Sequence, residues 1–315
     1  MTAVLVWALG ALVVGFASPG LIVTMMRRRL DSHVTLVVLG AIVVGTLAGF
    51  VVPVILSLAP SHAGVSGIVQ LAHRCWVALH DDAPAQLETA VGLVGAVVLL
   101  VAAVRLISHV SRAVPRHRAL HRQHVGLVRI LHGSATTRST AWVPLAHPIA
   151  YSVAGRPALV VASSGLRDAL EPTEVAAVLA HEAAHIRGRH HLMVAAADAV
   201  AHAFPWLPIM RRSPGLVRAL VEIDADAVAA RTHGREAVRR ALVALNPHSV
   251  PEHALGMADA DTVLRLERLA SDPRCLSGPL RLARTLVATV TAVALPIVPV
   301  TVLLGGMALA SCVGT

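Results

Sequence analysis

Four apolar segments constrain this chain more than any other feature, because each is long enough to cross a lipid bilayer. A membrane-spanning helix needs about 20 predominantly apolar residues. The sequence offers such segments at about 3–25, 34–59, 89–107 and 285–308. Composition agrees, since 56% of the residues are hydrophobic and only 14% are charged. The sequence therefore predicts a mainly α membrane protein with four transmembrane helices.

The arginines beside these segments predict their orientation, because cytoplasmic loops carry an excess of basic residues. Arg27 to Arg29 follow the first segment, and further arginines (Arg112, Arg116, Arg118, Arg122) follow the third. The loop at about 60–88 is acidic apart from Arg74. We therefore expect a multi-pass plasma-membrane protein with external N- and C-termini. Its predicted parts are a three-span region (1–110), a cytoplasmic domain (111–284), and a fourth span with a short external tail (285–315).

The formal net charge of +9 raises the question of a nucleic-acid partner. The arginines lie beside hydrophobic segments, however, and no nucleic-acid recognition motif accompanies them. Contact with anionic membrane lipid accounts for this placement. We therefore expect membrane lipid as a partner and no nucleic acid.

A pentapeptide in the predicted cytoplasmic region, His181-Glu182-Ala183-Ala184-His185, carries the inventory of a zinc site. Pro172 suits the first turn of a helix that would contain it. On a helix, a spacing of four residues puts both imidazoles on one face, so that they converge on a single Zn²⁺. Glu182 would act as general base on the attacking water and pass a proton to the leaving amine. The motif predicts a zinc peptidase with one ion per chain.

A second acidic sequence, Glu222-Ile223-Asp224-Ala225-Asp226, offers the remaining groups. Glu222 would be the third metal ligand, and Asp226, one turn on, would hydrogen bond a ligand histidine. The alternative is a solvated acidic helix face beside unliganded surface histidines. A shared metal requires both motifs on one side of the membrane. The apolar segment at 192–210 is therefore expected to be a buried or interfacial helix and not a span, as its Asp198 also indicates.

Residues 148–153 and 157–163 are predicted as two strands joined by a turn at 154–156. Three sequences from this region resemble the BlaR/MecR-type antirepressor family of membrane zinc metallopeptidases: His147-Pro-Ile-Ala-Tyr-Ser-Val-Ala-Gly, Ala162-Ser-Ser-Gly-Leu, and Val178-Leu-Ala-His-Glu-Ala-Ala-His-Ile-Arg-Gly-Arg-His. The related HtpX-type gluzincin membrane proteases share the H-E-x-x-H and E-x-x-A-D elements.

The resemblance implies a cytoplasmic α+β gluzincin metalloprotease domain inserted between spans three and four. It implies zinc binding by His181, His185 and Glu222, with Glu182 as the catalytic residue. It also implies an edge strand that holds the substrate backbone by strand addition, formed by Ala150, Tyr151, Ser152 and Val153. Because the sequence ends at Thr315, we expect the penicillin-sensor domain of the antibiotic-sensing members to be absent.

Three functions follow as hypotheses. The first is regulatory cleavage of a protein substrate, either a cytoplasmic transcriptional repressor or the enzyme itself. The alternative is an HtpX-like protease for membrane protein quality control, although three spans before the motif favour the first. A non-catalytic receptor or scaffold is the third, and an intact Glu182 argues against it.

Other residues near the motifs have simpler interpretations. His233, seven residues after Asp226, is a candidate for stabilising the oxyanion. His190 and His191 are expected to be surface residues at a helix end. The stretch from Arg265 to Arg268 is expected to form an ordinary charged helix surface.

Overall fold

A computed structural model describes residues 2–58, 85–132, 140–155, 158–245 and 257–270, with isolated positions at 283, 286, 287 and 290. The predicted fourth span, apart from three of those positions, lies outside the described residues, as does most of the predicted external loop at 60–88. The chain divides into two compact units. The first comprises 1–108, 199–213 and 277–315; the second comprises 109–198 and 214–276.

Three long apolar helices begin the chain: α1 (Thr2–Arg27), α2 (Ser32–Leu58) and α3 (Ala85–His132). Each contains a stretch long and apolar enough to cross a membrane, at Gly10–Arg27, Ser32–Val52 and Gly92–Arg116. These stretches overlap the first three predicted spans. α1 and α2 pack closely because small residues face each other: a Cβ added to Gly49 would lie 2.9 Å from that of Ala11.

A side-chain cap fixes the start of α2, whereas the C-terminal end of α3 lies well beyond its apolar segment. α2 begins after Asp31, whose carboxylate accepts hydrogen bonds from the backbone N–H groups of His33 and Val34 at 2.9 and 3.3 Å. That is the geometry of a helix N-cap. α3 does not end near Ile107, where the apolar pattern ends, but continues to His132. Arg, Ala and Leu form helices well, so the loss of apolarity changes the surroundings of the helix and not its backbone.

The ambiguous apolar segment at 192–210 is not one span-length helix. It contains most of α6 (His190–Ala203), a break, and the start of α7 (Pro208–His233). With 14 residues, α6 is about 21 Å long, short of the ~30 Å hydrocarbon core. Within the first unit, the Arg105 side chain donates a 2.8 Å hydrogen bond from Nε to the carbonyl of His202 near the end of α6.

The second unit contains a three-stranded sheet of β1 (Thr140–Val143), β2 (Ala150–Val153) and β3 (Leu159–Ser163), in the order β1-β3-β2. β2 and β3 form the predicted antiparallel hairpin, with Ala150 opposite Ala162. β1, which runs parallel to β3, was not predicted. All five residues of β3 are buried. In the described part of the chain β2 pairs with β3 alone, so it is an edge strand.

Two small residues fix the loop that leads into β2. The Ser163 hydroxyl donates to the carbonyl of His147 at 2.8 Å and accepts from the N–H of Ile149 at 3.0 Å. Gly165 lies so close to the loop that an added Cβ would fall 1.9 Å from the carbonyl oxygen of Ala146. These contacts fix where β2 starts.

Helices follow this sheet along the described part of the second unit. The short helix α4 (Ser164–Ala169) follows β3, and α5 (Pro172–Arg187) starts at Pro172 as predicted. α5 is held by a capping box in which Glu171 and Glu174 each bond the other's backbone N–H. The helices α8 (Arg235–Leu245) and α9 (Met257–Ala270) pack beside it through a buried cluster: Ala177, Ala229, Ala237, Val238, Leu242 and Leu269. α7 contributes Ala229 to this cluster.

Candidate metal centre

The helix α5 brings the two histidines of the pentapeptide together. His181 and His185 lie one turn apart, and their Nε2 atoms are 3.1 Å from each other. Both side chains are mostly buried, at 13% and 16% exposure. Two imidazole nitrogens at this distance, on the same side of one helix, are arranged to bind one metal ion.

The helix α7 adds the carboxylate of Glu222. Its two oxygens lie 3.4 Å from the Nε2 atoms of His181 and His185. Donor atoms of all three residues lie within 4.8 Å of one another. Ligands about 2.0–2.1 Å from a tetrahedral zinc ion are separated by about 3.3 Å, so these separations fit zinc. The nitrogen and carboxylate donors are also the types that zinc accepts.

Asp226 orients His181 and is itself held by an arginine. Its Oδ1 lies 3.0 Å from Nδ1 of His181, one turn beyond Glu222 on α7. The guanidinium of Arg265, from α9, donates to both oxygens of Asp226 at 2.7 and 2.8 Å. It also approaches Glu222 Oε2 at 3.0 Å. The expectation that Arg265 belongs to an ordinary charged surface is therefore wrong: its side chain is 17% exposed and binds two carboxylates of the centre.

His190 is also wrongly predicted as a surface residue. It is 3% exposed, and its Nδ1 lies 3.0 Å from Nδ1 of His185. Its Nε2 is 3.6 Å from the carboxylate of Asp224. The neighbouring His191 is exposed, as expected. Each histidine of the pentapeptide thus has a polar partner on the nitrogen that faces away from the shared position.

The surroundings separate the pKa values of the two histidines. Burial lowers the pKa of His181, but hydrogen bonds and charge from Asp226 and Glu222 outweigh it and raise the value to about 9. Burial and the neighbouring charge of His181 lower the pKa of His185 to about 4. At neutral pH the metal-free centre therefore holds its proton on His181 while His185 is neutral.

The pKa values of the three carboxyl groups near the histidines are also shifted in different directions. Burial raises the pKa of Glu182, against the charge of His181 and hydrogen bonds from Ser152. For Glu222, burial is outweighed by the hydrogen bond from His181 and the charge of Arg265, so its pKa is lowered. The pKa of Asp226 is lowered in the same way. Glu222 and Asp226 are thus held as anions, whereas Glu182 has the raised pKa of a proton acceptor.

Strand β2 runs beside Glu182. Ser152 adjoins the Glu182 carboxyl group, since its hydroxyl and backbone N–H lower the pKa of that group against the effect of burial. Because side chains alternate along a strand, Ala150 and Ser152 share one face of β2 and Tyr151 and Val153 share the other. A cavity of about 430 Å³ adjoins Ser152, His185 and Glu222.

The structure does not bring His233 to the centre. It is the last residue of α7, and the seven residues that separate it from Asp226 correspond to about 10 Å along the axis. It lines neither of the two cavities that adjoin the candidate metal ligands. The oxyanion role of His233 stays a prediction without support from this geometry.

Sequence spacing could not have revealed Arg265 or His190. Arg265 comes from a helix 39 residues after Asp226, and no motif links the two. His190 lies five residues after His185, which on a continuous helix would turn it away. The sequence signal for His190 was Gly188, because a glycine at a helix end lets a following side chain pack against the backbone.

A histidine pair on one helix and a carboxylate on a second, with an unliganded glutamate beside them, define a candidate zinc-peptidase centre. Residues 116–213 match the model of Peptidase family M48. The match covers about a third of the chain and supports a metallopeptidase function. It ends before Glu222, whose place is given by the structure. No curated protein and no solved structure shows significant similarity to the chain.

Proposed function

We propose that this chain is an integral-membrane, zinc-dependent endopeptidase. The observation that carries the proposal is the convergence of His181, His185 and Glu222 with Glu182 beside them. Zinc held by these three ligands would polarise a peptide carbonyl and lower the pKa of water to about 7.

Side chains of the protein transfer the proton and orient the candidate ligands. Glu182 accepts a proton from the attacking water, whose oxygen forms a bond to the carbonyl carbon of the substrate. As the C–N bond breaks, Glu182 passes that proton to the departing amine. Asp226 and His190 hold the two ligand imidazoles in orientation.

The edge of β2 that faces away from β3 is the proposed site for the substrate backbone. An extended peptide added there pairs with the strand through main-chain hydrogen bonds, which are independent of sequence. Ser152 already contacts Glu182, so a peptide on this edge passes the catalytic group.

The proposed setting is the plasma membrane, with the centre on the cytoplasmic side. Three apolar helices and the arginine pattern support it. The proposed substrate is a cytoplasmic repressor or the enzyme itself, and the alternative is broad quality-control proteolysis. The BlaR/MecR resemblance supports the regulatory role.

The catalytic proposal is tested with Glu182→Gln in the purified full-length chain. The variant should retain about one zinc per chain, measured by elemental analysis, because Glu182 is not a ligand. Its cleavage of an unfolded protein should fall by at least ~100-fold. The control is Glu236→Gln, an exposed glutamate of α8 whose loss should change neither quantity. Undiminished cleavage by Glu182→Gln would refute the mechanism.

The choice of substrate is tested by comparing cleaved proteins in cells that carry the wild type or Glu182→Gln. One or two trimmed cytoplasmic proteins would support regulatory cleavage. Many fragments of misfolded membrane proteins would support the quality-control role instead. Identical proteomes, with no zinc in the purified chain, would favour a non-catalytic receptor.

A further inference from the structure

The chain that joins α6 to α7 is an uncharged apolar stretch, Phe204-Pro-Trp-Leu-Pro-Ile-Met. Its residues Leu207, Ile209 and Met210 are each 0% exposed. The stretch belongs to the first unit, which also contains the apolar helices α1 and α2. Connections between helices normally lie on a protein surface in water. What this one packs against therefore decides where it lies.

The stretch packs against the mid-points of α1 and α2. A Cβ added to Gly15 of α1 would lie 3.2 Å from the side chain of Leu207 and 3.7 Å from that of Ile209. It would also lie 3.7 Å from the side chain of Thr46 in α2. Gly15 and Thr46 are near the middle of helices of 26 and 27 residues. Each helix is about 40 Å long against a hydrocarbon core of ~30 Å, so its mid-point lies inside any bilayer that it crosses.

An arginine of the third apolar helix holds the end of α6. Arg105 is the only Arg, Lys, Asp or Glu between Gly92 and Ser111, within the membrane-compatible stretch of α3. Its Nε donates a 2.8 Å hydrogen bond to the carbonyl of His202, in the last turn of α6, where carbonyl groups lack intrahelical partners. A charge inside a span is unfavourable unless it is paired, and a helix C-terminus carries partial negative charge. Arg105 therefore ties the end of α6 to a membrane helix.

The non-helical backbone of the stretch has few polar groups to satisfy. Pro205 and Pro208 have no N–H group. The N–H of Phe204 donates to the carbonyl of Val200 at 2.9 Å, and that of Leu207 donates to the carbonyl of Phe204 at 3.3 Å. Such backbone is tolerated at membrane depth only where protein covers it. The contacts with α1 and α2 provide that cover.

The charges after the stretch limit how far it enters the membrane. Arg211 and Arg212 follow it directly, and both are exposed. An arginine side chain can extend from below the headgroup layer to reach water, but only over its own length. A segment that ends in two arginines is retained on the cytoplasmic side. The stretch therefore fits a segment that enters one half of the bilayer and returns.

We propose that residues 199–213 form a re-entrant element in the cytoplasmic half of the bilayer, held there by Arg105. Lipid hydrocarbon is the partner of its outer surface, where Trp206 is 46% exposed. The chain between the two candidate metal-binding motifs thus enters the membrane without crossing it. This placement rests on the proposed membrane setting and is independent of the proposed peptidase activity.

The fluorescence of Trp206 measures the depth of the element. The full-length chain is placed in phosphatidylcholine vesicles with Trp206 as its only tryptophan, after replacement of Trp7, Trp76 and Trp142 by Phe. Lipid brominated half-way along its acyl chains should quench about half or more of the fluorescence, because the indole lies in the hydrocarbon core. A headgroup nitroxide should quench less. A chain that keeps Trp142 alone, in strand β1, is the matched control and should not respond to acyl bromine.

A tryptophan introduced into α1 separates failure of this placement from failure of the membrane setting. Phe16 is next to Gly15 and 61% exposed, so Phe16→Trp in a chain without other tryptophans should be quenched by acyl bromine. Quenching of this chain but not of Trp206 would refute the placement alone. Stronger quenching of Trp206 by the headgroup nitroxide would also refute it. No quenching of either would refute the membrane setting, and the placement with it.

Arg105→Leu tests what holds the element. Because Leu cannot donate to the carbonyl of His202, quenching of Trp206 by acyl bromine should fall by about half. Arg105→Lys keeps a charged donor and should retain the quenching. Arg116→Leu, at the exposed end of the same apolar stretch, is the control and should change nothing. Unchanged quenching in Arg105→Leu would refute the role of Arg105.

Cysteine labelling distinguishes a re-entrant element from a span. In a chain whose native cysteines are replaced by Ser, His191→Cys and Arg212→Cys place single thiols at exposed positions before and after the stretch. Neither should react with a membrane-impermeant maleimide in intact cells, and both should react once the cells are opened. Reaction of one variant but not the other in intact cells would show that the chain crosses the bilayer between them, which would refute the proposal.

Discussion

Each histidine of the candidate metal centre presents its second ring nitrogen to a fixed partner. For His181 the partner is Asp226, at 3.0 Å, and for His185 it is His190, also at 3.0 Å. Such partners fix the tautomer and the ring orientation of a metal ligand, and their removal typically costs 10–100-fold in affinity or activity. His185 thus depends on a histidine where His181 depends on a carboxylate.

We therefore predict that His190→Phe weakens zinc binding by about tenfold or more, because His185 loses the group that orients it. Competition with a chromophoric chelator measures the change. His191→Phe, one residue along and exposed, is the control and should bind zinc normally. Equal affinities for the two variants would show that the His185–His190 contact has no role in binding.

The raised pKa of His181 predicts how zinc binding depends on pH. The metal-free centre holds a proton on His181 up to about pH 9, and zinc must displace it. The apparent association constant should therefore rise about tenfold per pH unit from pH 7 to 9 and flatten above. Chelator-buffered titrations across this range measure it.

Asp226→Asn provides the check, because it removes the carboxylate that most supports the protonated imidazole. In that variant the rise should flatten at a lower pH. Affinity that is constant from pH 7 to 9 in the wild type would contradict the assignment of the proton to His181.

At the scale of elements, the turn between α5 and α6 places His190. Arg189 adopts a left-handed backbone conformation (φ 52°), which is uncommon for a residue with a side chain. Gly188 leaves the room that the imidazole fills, because an added Cβ would lie 2.4 Å from Nε2 of His190. The turn therefore acts on the centre although it holds no metal ligand.

We predict that Gly188→Ala weakens zinc binding nearly as much as His190→Phe, because the new methyl group displaces the ring. The double variant should bind no more weakly than the weaker single one, since both changes remove the same contact. Gly215→Ala in α7 is the control, because nothing lies within 4 Å of its added Cβ. Independent, additive losses in the double variant would contradict the shared cause.

Local patterns predicted the elements that local forces determine. The start of α5 follows from Pro172 and its capping glutamates, and the β2–β3 hairpin from its turn and alternation. β1 was missed because its four residues gain their strand geometry from pairing with β3, about 20 residues later. α3 continues beyond the predicted third span because apolarity reports the solvent around a helix and not its hydrogen bonding.

At the scale of the whole molecule, the sequence predicted which residues meet at the centre but not everything that surrounds them. The pentapeptide and Glu222 are recognisable because metal binding restricts residue type and spacing. Arg265 is brought in by the packing of α9, which no spacing rule describes. Charge pairs between residues this far apart in the sequence can be recognised only from the three-dimensional structure.

The predicted membrane topology is testable with the native cysteines, which lie far apart in the sequence. Cys75 and Cys312 fall in segments predicted to be external, and Cys275 in the predicted cytoplasmic domain. Single-cysteine variants in intact cells should react with a membrane-impermeant maleimide at Cys75 and Cys312 alone. Detergent-solubilised samples control for accessibility. Labelling of Cys275 in intact cells would overturn the orientation.

The edge of β2 that faces away from β3 has a consequence for the choice of target. The edge is four residues long, about 13 Å, and a segment can pair with it only when fully extended. A folded protein must first open locally, and each 1.4 kcal/mol of opening free energy reduces the available population tenfold. The proposed peptidase would therefore select targets with a low free energy of local unfolding. The first cut would fall where the fold of the target protein opens most easily.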